Sequence, residues 1–111
     1  MNQSYEQSES HTPGEEIKVG SYGKRWLEFM QSNHPKLVRQ LRKSQTLHEV
    51  ARSVDKYARD YKTLLDRQYE QLHPRPWEYD YEEVRKWEFT RDFYTDGTVM
   101  RERVLIPYKT A

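Results

Sequence analysis

Residues 84–108 read VRKWEFTRDFYTDGTVMRERVLIPY, and the period of the apolar positions in this stretch decides the fold class. Trp87, Phe89 and Phe93 fall at even spacings before Thr95-Asp96-Gly97-Thr98, and Met100, Val104 and Ile106 fall at even spacings after it. Asp-Gly between two alternating runs is a strong short-range hairpin signal, because both residues tolerate the positive φ of a type I′ turn. Placing Thr95 opposite Thr98 pairs Phe93 with Met100, Arg91 with Glu102, Phe89 with Val104 and Trp87 with Ile106 on one face. The other face pairs Tyr94 with Val99, Asp92 with Arg101, Thr90 with Arg103 and Glu88 with Leu105. The predicted ribbon is therefore apolar on one side and charged on the other, so its register is self-consistent. An isolated two-stranded ribbon is marginal in water, which requires the Trp87 face to pack on other elements.

Upstream the period changes to that of a helix. Leu47, Val50, Ala51, Val54, Tyr57, Ala58, Tyr61, Leu64, Leu65 and Leu72 keep a three-four rhythm for more than six turns, giving one long helix. Thr46 and Glu49 have capping-box spacing, with the hydroxyl of Thr46 accepting at N3 and Glu49 reaching back. The pairs Asp55 with Arg59 and Lys62 with Asp66 read as a solvated outer face. His73-Pro74-Arg75-Pro76 ends the pattern. Two shorter helices precede it: Tyr22, Trp26, Leu27, Phe29 and Met30 mark the first, and Leu37, Val38 and Leu41 the second, ending near Ser44. Asn33-His34-Pro35 separates the two, with Pro35 suited to N1. Trp77-Glu78-Tyr79-Asp80-Tyr81 reads as a third short strand, a loop, or the start of a helix capped by Asp80. The expected architecture is α+β: two short helices and one long helix with a C-terminal β-hairpin packed on them.

The chain has 111 residues, enough for one core, and is only 34% hydrophobic against 33% charged. Its mean hydropathy of -1.21 raises the question of disorder. Three Trp, nine Tyr and three Phe answer it, since each ring buries on the order of 150–250 Å². With no cysteine there is no disulfide framework, thiolate nucleophile or cysteine-based zinc site, which fits a cytoplasmic protein. No apolar run is long enough to span a bilayer and no signal peptide is evident. The net charge of +1 conceals a gradient: residues 1–16 carry −4, with Glu6, Glu9, Glu15 and Glu16, and residues 17–45 carry +6. The first is read as a flexible acidic leader, fraying up to about Gly14, and residues 17–111 as a single domain.

Catalytic and cofactor chemistry find little to stand on. His11, His34, His48 and His73 include no pair at ligand spacing, so neither a metal nor another cofactor is expected. Gly20 and Gly23 do not make a phosphate loop, and no nucleophile elbow is present. The acidic group Asp80, Glu82 and Glu83 reads as a solvated loop. The protein is expected not to be an enzyme. Binding is the better reading: Lys36, Arg39 and Lys43 share one face of the second helix, with Arg42 beside them and Lys24 and Arg25 upstream, the pattern of a phosphate-contacting helix. Tyr79, Tyr81 and Tyr94, with Arg101 and Arg103 on the polar face of the ribbon, supply the residue types that protein interfaces favour. Trp87, Phe89 and Phe93 are assigned to the core.

Gly20-Ser21-Tyr22-Gly23-Lys24, followed by Phe29-Met30, Leu37, Leu41, Ser44 and Leu47, resembles the opening of the TnpV-type transposon-encoded proteins of bacterial mobile elements. The resemblance covers residues 17–60. It implies two short helices followed by a long one and brings no catalytic residues. The family stays helical beyond the position of Leu72, where this sequence turns to prolines and a hairpin. A mobile-element context implies a non-catalytic protein that binds host machinery, as anti-CRISPR proteins do when they occupy a guided nuclease. The partner is then a host protein such as a CRISPR effector, with RNA or DNA contacted through the second helix. The alternative is a DNA-binding accessory or regulator of transposition.

Overall fold

The structure is a computed structural model, and it describes residues 19–106. The acidic leader, His11, Pro107 and Tyr108 lie outside the described residues. Among the described residues four α-helices follow one another: α1 (Ser21–Asn33), α2 (Pro35–Lys43), α3 (Leu47–Leu72) and α4 (Tyr81–Val99), and a π-helical turn, Met100–Val104, extends the last. There is no strand among the described residues.

The first three helices form where the apolar spacing puts them. Tyr22, Trp26 and Met30 of α1 are buried, and so are Val38 and Leu41 of α2 and Leu47, Val50, Ala51 and Ala58 of α3. Pro35 occupies the first turn of α2, where its missing N–H breaks no helical bond. The turn from α2 to α3 is a Schellman arrangement: Gln45 N–H donates to Arg42 O at 3.0 Å and Thr46 N–H to Leu41 O at 2.9 Å, with Gln45 left-handed at φ 60°. The expected capping box is absent although the boundary is right. Thr46 makes no side-chain cap, and its hydroxyl lies 2.7 Å from Ser44 Oγ.

The expected β-hairpin does not form, and the α+β class is corrected to all-helical among the described residues. Val84, Trp87, Thr95 and Val99 are buried, and with Arg91 between them they also follow a three-four rhythm that the alternating pattern masked. Of the three readings of residues 77–81, the strand fails and the other two divide the segment: residues 77–80 form a turn, and the helix starts at Tyr81, where the Asp80 carboxylate accepts from Glu83 N–H at 3.3 Å and Glu82 and Glu83 sit in the first turn, favoured by the helix dipole. Asp96-Gly97 is no turn. Gly97 lies inside α4 without a positive φ, and Asp96 spends its carboxylate on α1, accepting from Tyr22 Oη at 2.6 Å and pairing with Arg25 at 3.3 Å. Tertiary partners have overridden a local turn signal.

The assignment of Phe89 and Phe93 to the core is corrected with it. One helical turn apart, they stack with ring centroids at 6.3 Å on the exposed side of α4. Trp87 is a core residue as expected, its indole N–H donating to His73 O at 2.7 Å and so fixing the α3–α4 linker. In the π-helical turn Leu105 N–H donates to Met100 O at 2.7 Å, and this wider turn directs Val104 inward, where it is fully buried.

Candidate nucleic-acid interface

Helix α2 buries Val38 and Leu41, and the 100° step per residue then sets Lys36, Arg39 and Lys43 on the opposite side. All three are exposed, Arg42 is half-buried on the flank, and together with Gln40 the four cations line one surface cleft. The first turn of α2 holds no acid and the last turn holds Arg42 and Lys43. Among the described residues none of the four forms an ion pair, whereas Lys56, Lys62, Lys86 and Arg91 each meet a carboxylate. The positive charge of α2 is therefore not compensated by ion pairs among the described residues.

The remaining predicted residues are dispersed. Lys24 is exposed on α1, outside the α2 cleft. Arg25 is occupied: its Nη1 pairs with Asp96 and lies 3.4 Å from Met100 Sδ. Tyr79 is exposed in the linker, edge-on to Trp77 at 5.1 Å, and Tyr81 is exposed at the start of α4. Tyr94 is exposed beside Tyr69, with ring centroids 6.3 Å apart. Arg101 and Arg103 were expected on a ribbon and instead belong to the π-helical turn. Arg101 donates to Thr98 Oγ1 at 3.3 Å, and the Arg103 guanidinium lies 4.2 Å from the centre of the Tyr61 ring. Only the α2 cations are brought together.

Two polar arrangements escaped the sequence reading. Asp55, assigned to a solvated face, is buried, accepting from Gly23 N–H at 3.0 Å and Arg59 Nε at 2.8 Å. Its place on the Ala51–Ala58 stripe was the available signal. Helix α1 has no side-chain cap of its own, so Asp55 serves from α3 as a tertiary one. A Cβ on Gly20 would lie 2.7 Å from Asp55 Oδ1, and one on Gly23 would lie 2.8 Å from Val19 Cβ and 3.0 Å from Ala51 O. The Gly-x-Tyr-Gly opening thus has a packing reason: both glycines admit α3, and Tyr22 between them reaches α4.

The second arrangement joins α3 to α4. Asp66 accepts from Thr95 Oγ1 at 2.7 Å and Lys62 Nζ at 2.8 Å, and Lys62 also donates to Asp92 at 3.0 Å. Partial burial works against charge on Lys62 and Asp92, but the hydrogen bonds outweigh it, raising the ammonium's pKa and lowering the carboxylate's. These contacts hold the scaffold. Among the described residues no group of three potential metal ligands comes together, and no helix is long and apolar enough to cross a membrane.

No curated protein and no solved structure matches the chain. A family model described as transposon-encoded protein TnpV matches residues 9–92, which contain the whole of α1, α2 and α3 and most of α4. The expected departure after Leu72 is thereby corrected, since the match continues into a helix where a hairpin was predicted. With three quarters of its length matched, and with the Gly20–Gly23 opening explained by its packing on α3, this chain belongs to the TnpV family of transposon-encoded proteins.

Proposed function

We propose that this protein is a non-catalytic nucleic-acid-binding accessory or regulator of the mobile element that carries it, gripping phosphates with the outward face of α2. The observation that carries the reading is the set of Lys36, Arg39 and Lys43 on one exposed face, free of acidic partners among the described residues. Each phosphate neutralised by such a cation releases counterion, the dominant source of affinity for a polyanion. Arg42 on the flank adds a fourth cation. Anisotropy of a labelled duplex at about 50 mM salt tests it: saturable binding is expected, and its loss in a K36Q/R39Q/K43Q variant. No binding by the unaltered chain contradicts it.

A second reading, stoichiometric occupation of a host guided nuclease in the manner of an anti-CRISPR protein, draws on the exposed Trp77, Tyr79 and Tyr81 beside the first turn of α4. Inhibition saturating near one equivalent, and lost when these three rings are removed, would favour it over DNA binding. Activity at a hundredth of an equivalent contradicts both, because it requires turnover.

A further inference from the structure

The core that α1 and α2 share with the α3–α4 hairpin occupies one half of that hairpin. Helix α1 meets α3 at Ala51 and Asp55 and α4 at Asp96. Beyond Ala58 no residue of α3 is buried. The distal half is a two-helix layer, and such a layer ordinarily buries its apolar stripe against another. Here Val84 and Trp87 are buried between the two helices, but the rest of the stripe stays open. Leu64 is 48% exposed, Leu72 77%, Phe93 75% and Tyr94 65%. A groove of about 650 Å³ runs between the two helices here, walled by Leu65, Tyr69 and Leu72 on one side and by Phe93 and Tyr94 on the other.

We propose that this face is a homodimer interface, closed by the same face of a second copy of the chain. Three features point to a copy. The patch carries both a ridge, the stacked Phe89 and Phe93, and the groove beside it, and a twofold contact requires knob and hole on one surface. The walls hold Leu65, Tyr69, Leu72, Phe93 and Tyr94 among uncharged polar groups such as Gln68, Thr90 and Thr98, and carry no cation cluster, so the occupant is largely apolar, unlike the polyanion suited to α2. The exposed portions of Leu64, Leu72, Phe93 and Tyr94 amount to on the order of 500 Å², to which polar lining such as Gln68, Thr90 and Thr98 adds towards the roughly 800 Å² per partner of a stable interface. Two helical hairpins joined in this way make a four-helix arrangement. The inference does not depend on what α2 binds.

Sedimentation equilibrium of the full chain from about 1 to 300 µM tests it. Twice the 13.6 kDa chain mass is expected at the upper end, and dissociation at least about tenfold easier in Phe93→Asp. Phe93 is mostly exposed, so its replacement leaves the helical circular dichroism unchanged; should it not, Leu72→Asn is the second variant. A monomer throughout overturns the proposal and leaves the face to a foreign protein. A dimer that survives both substitutions also overturns it.

Discussion

The Asp55 carboxylate on α3 accepts the backbone N–H of Gly23 in the first turn of α1 at 3.0 Å, and no side chain of α1 does that work. The contact is close because Gly20 and Gly23 present no Cβ.

Gly23→Ala is therefore expected to destabilise by about 1–3 kcal/mol, since the new methyl comes within 2.8 Å of Val19 Cβ and 3.0 Å of the Ala51 carbonyl, a backbone atom. Gly20→Ala presses instead on the Asp55 carboxylate, and Gly20→Ala with Asp55→Ala should cost less than the two changes summed. Urea unfolding midpoints of the four proteins measure this, and strict additivity would contradict it.

Gly97→Ala has a sign that separates helix from hairpin. Within α4 the added methyl lies 3.5 Å from Arg101 Nη1, an ordinary contact, and alanine is the better helix former by about 1 kcal/mol. Thermal unfolding should rise by a few degrees. At a type I′ turn the same change would lower it.

Gln45→Gly should stabilise by about 0.5–1 kcal/mol, because Gln45 holds φ 60° in the Schellman turn where a Cβ is penalised. Denaturant titration checks the direction.

Burial and then the hydrogen bond to Asp96 push the Tyr22 phenol far above its ordinary 10.0. Below pH 10 both folded and unfolded states keep the proton and the stabilisation is complete. Above it the unfolded chain ionises first, so stability falls until the folded phenol titrates. Between pH 7 and about 10.5 the loss in urea midpoint should be smaller in Tyr22→Phe; Lys62, whose pKa is also raised, contributes equally to both proteins. Identical losses would contradict the assignment.

How legible the molecule was depended on whether local and tertiary signals agreed. Helices α1 to α3 were readable because Pro35, the His73-Pro74 break and the apolar stripes coincide with their ends. α4 was misread because Trp87, Phe89 and Phe93 alternate and Asp96-Gly97 imitates a turn, while the deciding facts are distant: Tyr22 and Arg25 on Asp96, and Asp66 on Thr95. The α2 cations were legible because a short amphipathic helix dictates its outer face. Asp55 was not, since its neighbours make it look like half of a surface pair with Arg59.

Phosphate contact by α2 is measured by the slope of log affinity for duplex DNA against log salt, compared between the unaltered chain and K36Q/R39Q/K43Q. A steep negative slope is expected, becoming shallower by roughly one unit for each cation removed. An unchanged slope, or affinity indifferent to salt, would contradict it.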